Sequence, residues 1–196
     1  MKNISIITSL LLTLALTACS NTQSNEKESN VKFVENPTIQ AKGMEQIKTL
    51  LKGHLKPAIM GEMKSDKTGV AGMTMCSTEA KTIVANYNKT LPEGSKVRRT
   101  ALKYRNPANK PDATDVAVMN ELKAKKNFKP VVVELEKSFR VYKALDVKKP
   151  CLACHGASDT LNSGVKELIT KNYPKDLATE FKEGDFRGVV VSEIAK

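Results

Sequence analysis

Tryptophan is absent from this chain of 196 residues, and aromatic residues of all kinds make up only 5% of it. The hydrophobic core must therefore consist mainly of leucine, valine, isoleucine, alanine and methionine. Histidine is also scarce, because His54 and His155 are the only two. Any function that needs a second histidine, as a metal ligand or as an acid–base group, can use only this pair.

The apolar run Ile6–Leu16 is too short for a transmembrane helix, which needs about 20 apolar residues. It follows a positive charge at Lys2 and ends in Leu16-Thr17-Ala18-Cys19. This order is typical of a bacterial lipoprotein signal peptide. We therefore predict that residues 1–18 are a signal peptide and that Cys19 is lipidated. The alternatives are an ordinary signal peptide with a chance cysteine, or an uncleaved anchor.

A polar segment follows the predicted lipidation site. Residues 20–30 include no apolar side chain, so they cannot bury enough surface to fold. We predict a flexible tether over residues 19–37 and one folded domain over residues 38–196. Export places this domain on the periplasmic side of the cell envelope. Ser20, where inner-membrane lipoproteins often have aspartate, weakly favours the outer membrane.

The formal net charge of +11 would suit nucleic acid, anionic lipid or an acidic protein as a partner. Export argues against nucleic acid, and the lysines are spread along the chain rather than clustered. We therefore expect contact with the membrane through the lipid anchor. We also expect a redox or signalling partner protein, which basic charge would help to attract if that partner is acidic.

Cysteine is the most informative residue type. Four cysteines occur, at positions 19, 76, 151 and 154, and lipidation of Cys19 leaves an odd number in an oxidising compartment. Cys151-Leu152-Ala153-Cys154-His155 has the C-x-x-C-H spacing of haem c attachment, in which both thiols bind one haem and the histidine coordinates its iron. The alternatives are a zinc site that recruits Cys76 with His54 or His155, and a thioredoxin-like thiol pair.

Cys76 is the cysteine that this motif leaves unassigned. On a helix, four apolar residues would share its inward face: Ala80, Ile83, Val84 and Tyr87. Cys76 is thus a candidate for the second axial ligand, with a buried structural cysteine as the alternative. His54 is a competing candidate. Met73 and Met75 flank Cys76, but methionine in an aromatic-poor chain is better explained as core filler.

Hydrophobic periodicity predicts an α+β fold in which an N-terminal helical hairpin packs on an antiparallel sheet. The predicted helices are Thr38–Met63, divided near Pro57, then Val70–Lys89, a short helix capped by Asp112 or Thr114, Val165–Lys171 and Lys175–Phe181. The predicted strands are Lys96–Lys103, the hairpin Val131–Leu135 with Ser138–Val147, and Phe186–Ile194. Residues 31–37 are expected to be irregular.

Several segments together resemble a bacterial family of single-haem c proteins with a PAS-like haem domain. The matching segments are Ala71–Cys76, Val97–Asp112, Cys151–Gly156 and Glu183–Gly188. They occur in the family's order, and the resemblance covers most of residues 40–194. This combination is more specific than C-x-x-C-H alone. The chain departs from the family pattern at Met73, at Met75 and at residues 112–115.

The resemblance implies a PAS-like sheet that encloses a haem c with His/Cys axial ligation. The family's distal cysteine lies on a helix before an R-N-P-x-N segment, and Cys76 has the matching position. His54 has no role that the resemblance implies.

The R-N-P-x-N segment also allows an interpretation from its own chemistry. Arg99 and Arg105 are candidates for bidentate pairing with the haem propionates, and Arg187 is a weaker one. The alternative is a structural turn with exposed arginines.

A haem with two protein ligands has no open coordination position. This favours electron transfer or a redox role, in which only an electron moves, and it argues against an enzyme. The alternative is a sensor of redox state or of NO, CO or sulfide, in which Cys76 is displaced and a partner protein receives the signal. Catalysis would need a distal acid–base group, and only His54 is available.

Overall fold

The computed structural model describes residues 31–196. They form a five-stranded antiparallel sheet with helices on both faces. The mixed α+β class and the antiparallel sheet predicted from the sequence are thus confirmed. The predicted signal peptide, the lipidation site Cys19 and the first part of the tether lie outside the described residues.

The strands occur across the sheet in the order β1-β3-β4-β5-β2. Their bounds are Phe33–Val34 for β1, Lys96–Thr100 for β2, Val131–Glu134 for β3, Ser138–Asp146 for β4 and Phe186–Ala195 for β5. The longest ladder joins β4 to β5 and contains one irregularity, between Leu145 and Asp146. The predicted β3–β4 hairpin and the final strand are both present.

Seven α-helices accompany the sheet in the described chain. Their bounds are Pro37–Lys48 for α1, Lys56–Ser65 for α2, Val70–Thr78 for α3, Ala80–Asn88 for α4, Ala113–Ala124 for α5, Leu152–His155 for α6 and Ser163–Asn172 for α7. A π-helix over Thr49–Leu55 joins α1 to α2. None of the helices described is long and apolar enough to cross a membrane.

The first predicted helix differs from the structure at its start. It begins at Pro37 rather than at Thr38, and its N-cap is Asn36, whose side chain accepts a hydrogen bond from the Ile39 amide at 3.0 Å. The predicted division near Pro57 is present: the π-helix Thr49–Leu55 ends the first part, and α2 begins at Lys56 with Pro57 in its first turn, a position that proline tolerates. The folded domain also includes residues 33–37, assigned above to the tether, since β1 pairs with β3.

The second predicted helix is broken at Glu79 into α3 and α4. Ser77 and Thr78 both donate side-chain hydrogen bonds to the Thr74 carbonyl, at 2.8 and 3.0 Å. Such bonds compete with the backbone ladder of the helix. The interruption is a single residue, and backbone bonds still cross it: the Glu79 amide donates to the Met75 carbonyl at 2.9 Å, and the Ile83 amide to the Glu79 carbonyl at 3.0 Å.

Of two other predicted helices, the one capped near Asp112 is present as α5 and the one at residues 175–181 is absent. Asp112, rather than Thr114, caps α5 in a reciprocal capping box with Asp115. Residues 175–181 were predicted to be helical and are not, because several of their backbone amides bond to carbonyls outside the segment. The Glu180 and Phe181 amides donate to the Gly156 and His155 carbonyls, each at 3.0 Å.

The two faces of the sheet bury separate cores. Val141, Val190 and Ile194 face the layer that contains α1, α3 and α4, and we call this side the α1 face. Tyr142, Val189 and Val191 face α5, and we call that side the α5 face. This alternation follows from the two-residue period of a strand.

Gly43 allows α1 to approach the α1 face closely. A Cβ atom built at this position would lie 2.4 Å from Val141 Cγ2, a distance at which something must shift. Gly61 on α2 is the opposite case, because an added Cβ atom would meet nothing within 4 Å.

Gly43→Ala and Gly61→Ala form a matched pair. Both substitutions bring the same gain in helix propensity, about 1 kcal/mol, but only Gly43→Ala creates a clash. We expect the free energy of unfolding to rise in Gly61→Ala and to be about 1–3 kcal/mol lower in Gly43→Ala than in Gly61→Ala. Urea denaturation measures both, and equal values would contradict the close packing of α1 on β4.

Candidate haem site

The C-x-x-C-H segment forms one helical turn. Cys151 ends a short 3₁₀ turn that begins at Lys149, and α6 continues from Leu152 to His155. Helical spacing puts Cys154 and His155 three and four residues after Cys151, on the same side. Cys151, Cys154 and Cys76 are all free thiols. The turn therefore directs two thiols and one imidazole towards a common side, as covalent haem attachment requires.

His155 is held in one tautomer. Its Nδ1 lies 2.7 Å from the Ala178 carbonyl oxygen, and since a carbonyl only accepts, Nδ1 must donate. The Nε2 lone pair is then free to bind a metal. Burial, followed by the positive charges of Arg187 and Arg105, lowers the pKa of His155 to about 3. The ring packs edge-on against Phe181, with 6.2 Å between centroids.

Cys76 lies on α3, which begins beside the motif. Gly69 precedes α3 at a φ of +85°, and a Cβ atom there would lie 3.2 Å from Ala153 Cβ and 3.6 Å from Cys154 Sγ. Burial raises the pKa of the Cys76 thiol, and the charges of Arg99 and Arg105 oppose that rise. Burial raises the pKa of the Cys154 thiol to about 11, and the charge of Cys76 contributes to this rise. Cys76 is therefore near both the motif and two arginines.

Cys76 does not join the apolar core predicted for it. It is half-buried, whereas its neighbours Met73 and Met75 are buried. Met75 packs with Ala80 and Tyr87 in the core of the α1 face, and Met73 packs against α7. Both methionines are thus core residues, and Cys76 is free for another role.

His54 packs against Tyr87 and not against the C-x-x-C-H segment. It is exposed on the π-helix, and its ring lies 5.4 Å from the ring of Tyr87 near the end of α4. Tyr87 itself donates a hydrogen bond to the Gln46 carbonyl at 2.9 Å.

Arg105 is buried and already committed to protein acceptors. Its Nη2 donates to the carbonyls of Cys154 at 2.7 Å and Ala178 at 3.1 Å, and to Asp176 Oδ2 at 3.0 Å. Its Nη1 donates to Met73 Sδ at 3.4 Å. Only Nε is left, buried and without a partner among the described residues. The bidentate contact predicted for Arg105 would have to displace one of these acceptors.

Arg99 has the freedom that Arg105 lacks. Strand alternation on β2 directs Arg98 to the α5 face, where it binds Asp115 at 2.7 and 2.9 Å. Arg99, opposite Val190, therefore belongs to the α1 face together with Cys76. Within residues 31–196, Arg99 makes no hydrogen bond or salt bridge through its side chain.

Arg187 also lies near His155. Its Nη1 donates to the Lys103 carbonyl at 2.9 Å, and its guanidinium lies 5.2 Å from the Phe181 ring. Burial and the charges of Arg105 and Arg99 lower its pKa to about 10. Beside Phe181 and Arg187 opens a cleft of about 270 Å³, close to the lower limit for a ligand site.

The charges around His155 do not balance. The guanidiniums of Arg99, Arg105 and Arg187 converge here, and only Arg105 has a carboxylate partner, Asp176. Two positive charges near buried groups are thus uncompensated among the described residues, which favours a bound anionic group. The two propionates of a haem meet this requirement. The buried Arg105 Nε, which has no partner among the described residues, likewise calls for a hydrogen-bond acceptor at this place.

The zinc alternative does not fit the geometry. A zinc site needs three or four ligands that converge at about 2 Å from one point. The described part of the chain holds no group of three or more His, Cys, Asp or Glu side chains placed to hold a metal ion. A haem requires fewer protein ligands, since its own nitrogens fill the remaining positions.

Sequence reasoning missed several residues of the site. Asp176, Ala178 and Phe181 belong to a segment that was predicted as a helix. Tyr173 is also close to the site: burial raises the pKa of its hydroxyl, and the charge of Cys76 raises that pKa further. No local pattern marks Asp176 as the partner of Arg105, because 71 residues separate them.

Comparison with known proteins identifies a matching family and a similar solved structure. The model of the Tll0287-like family matches residues 24–195. The crystal structure of the cyanobacterial haem protein Tll0287 is similar, with a TM-score of 0.61 and 27% identity. The match covers 83% of this chain and 98% of that one. No curated protein matches the chain significantly.

The Arg105–Asp176 pair yields a prediction for stability. Asp176→Asn keeps the shape of the side chain but leaves a buried guanidinium without its carboxylate. We expect the free energy of unfolding to fall by about 3 kcal/mol or more, as measured by urea denaturation of the holoprotein. Asp159→Asn, at an exposed aspartate, is the control. Equal stability of the two variants would show that the Arg105 charge is compensated elsewhere.

Proposed function

The chain belongs to the Tll0287-like family, and on that premise we propose that it is a cytochrome-like protein with one covalently bound haem c. In this proposal Cys151 and Cys154 attach the haem, and His155 and Cys76 are the two axial ligands of its iron. The protein is not an enzyme, and its role is electron transfer or redox buffering at the cell envelope.

One observation carries the proposal: the motif forms a helical turn in which His155 is already prepared as a ligand. Nδ1 is occupied by the Ala178 carbonyl at 2.7 Å, so Nε2 carries the lone pair. The low pKa of His155, which follows from burial and two nearby arginines, keeps the imidazole neutral. A neutral imidazole with a hydrogen-bonded Nδ1 is the form that binds iron.

The roles of the other residues follow from their positions. Cys76, half-buried on α3 and close to Cys154, supplies the second ligand as a thiolate, and Arg99 and Arg105 favour that charged form. Arg99 and Arg187 bind the propionates, and Arg105 offers Nε. A bound haem supplies an iron that gains or loses one electron. Thiolate ligation favours its ferric form and hence a low potential.

We also propose that the fold is PAS-like and that it encloses the haem. The four longer strands and the α1 layer are the PAS-like part of the fold, with the haem enclosed between α3, α6 and the sheet. The closeness of Arg99, Cys76 and His155 on this side of the sheet supports that arrangement.

The proposal extends to the cell envelope. Residues 1–18 direct export, Cys19 anchors the protein to a membrane through lipid, and the periplasmic domain meets a redox partner. An acidic partner would associate faster because the chain is basic.

A sensor of redox state or of a small gas is the alternative function. It would use the same site, with Cys76 leaving the iron and a partner protein receiving the change. The interruption at Glu79 between α3 and α4 is the point at which this alternative would require α3 to turn relative to α4. Binding of CO to the reduced protein separates the two functions.

Cys76→Ser tests the proposed coordination. The holoprotein is produced in a host that assembles c-type cytochromes, and its ferric, reduced and CO-treated spectra are recorded. We expect a low-spin ferric spectrum with a thiolate signature, which the variant loses while it keeps its covalent haem. Ser77→Ala, next to Cys76 on α3, is the control and keeps the signature.

His54→Ala tests the competing ligand in the same host. Because His54 is exposed and lies against Tyr87, we expect its ferric spectrum to equal that of the wild type. A spectrum that changes in His54→Ala but not in Cys76→Ser would replace His/Cys coordination with bis-histidine coordination.

A further inference from the structure

Arg105 contacts both elements that carry the proposed iron ligands. Its Nη2 bonds to the Cys154 carbonyl on α6, and its Nη1 bonds to Met73 Sδ on α3. Among the described residues, Arg105 makes no hydrogen bond to His155 Nε2 or to Cys76 Sγ; its partners are Met73, Cys154, Asp176 and Ala178. Its position between α6 and α3 is therefore distinct from that of a ligand or of an attachment residue.

We propose that Arg105 is a positioning residue that fixes α3, and with it the Cys76 thiol, relative to His155. This inference rests on the proposed His155 and Cys76 coordination. It adds the group that holds the two ligands in register, and it assigns Arg105 this role in addition to the one hydrogen bond that its Nε offers.

On the His155 side, Arg105 and the imidazole share one acceptor. The Ala178 carbonyl oxygen lies 2.7 Å from His155 Nδ1 and 3.1 Å from Arg105 Nη2. A carbonyl has two lone pairs and can serve both donors. Asp176 completes the junction, because Oδ2 bonds Arg105 and Oδ1 accepts from the Ala178 amide at 2.8 Å. A guanidinium that moved would therefore move the acceptor that orients the imidazole.

On the Cys76 side, the connection passes through Met73. Met73 is 1% exposed and packs among Leu161, Val165 and Ile169, so its sulfur has little freedom. Met73 and Cys76 are three residues apart on α3 and share one side of the helix. Any shift of Met73 is thus transmitted to Cys76 by a single helical turn.

The junction needs the shape of arginine. One planar fork reaches a thioether on one side and two carbonyls and a carboxylate on the other, while Asp176 supplies the counter charge. Lysine would keep the charge but offers a single point donor, which cannot reach both sides together.

The test compares Arg105→Lys with Arg98→Lys in the holoprotein. Arg98 carries the same substitution on the α5 face, where it binds Asp115. Met73→Leu is the third variant; it removes only the contact with α3, keeps the apolar volume, and remains informative if Arg105→Lys fails to fold. The readouts are covalent haem content, the thiolate signature in ferric absorption and electron paramagnetic resonance spectra, and the midpoint potential.

We expect Arg105→Lys to retain covalent haem while the ratio of thiolate-bound to thiolate-free ferric protein falls about 10-fold or more and the potential rises. Met73→Leu should show a smaller fall in that ratio, and Arg98→Lys none. A full thiolate signature and an unchanged potential in Arg105→Lys would overturn this inference and leave the proposed coordination intact. If Arg105→Lys does not fold, the same result in Met73→Leu has this meaning. A wild type without the signature would overturn the proposed coordination and this inference together.

Discussion

The hydrogen bond from His155 Nδ1 to the Ala178 carbonyl is the interaction on which the candidate site depends. Without it the imidazole could bind metal through either nitrogen or turn towards solvent; with it, only Nε2 is free. The acceptor is itself fixed, since Asp176 binds the Ala178 amide and Phe181 binds the His155 carbonyl. A segment without regular secondary structure thus provides the rigid support for the predicted ligand.

Charge is the second constraint. Arg99, Arg105 and Arg187 lie near enough to His155 for all three to lower its pKa, and Asp176 is the carboxylate that binds one of them. By contrast, the network on the α5 face is closed, because Arg98 and Arg140 both reach Asp115 and Arg140 also binds Asp112 and Glu193. The same chain therefore pairs Arg98 and Arg140 with carboxylates on the α5 face. Near His155 it leaves Arg99 and Arg187 without a carboxylate partner among the described residues, and there the anionic haem is proposed to bind.

The sequence was sufficient wherever the signal is local. The β-branched residues of the β3–β4 hairpin predicted its strands, Asp112 predicted the start of α5, and the C-x-x-C-H spacing predicted a haem protein, as the family match supports. It failed where side chains or distant segments decide the backbone. The break at Glu79 results from Ser77 and Thr78 binding the Thr74 carbonyl. Residues 175–181 are not helical because amides of this segment bond to the carbonyls of Tyr104, His155 and Gly156. Arg105 was found by its type and motif, but its role depends on Asp176 and Met73, which no spacing rule connects to it.

The most direct test of the account is X-ray absorption at the iron edge of the ferric holoprotein. It reports the atoms bound to iron without any substitution in the chain. The account predicts one sulfur neighbour in addition to the nitrogens of the haem and of His155. A spectrum that requires only nitrogen or oxygen neighbours would contradict coordination by Cys76 and, with it, the arrangement of α3 and α6 around one haem.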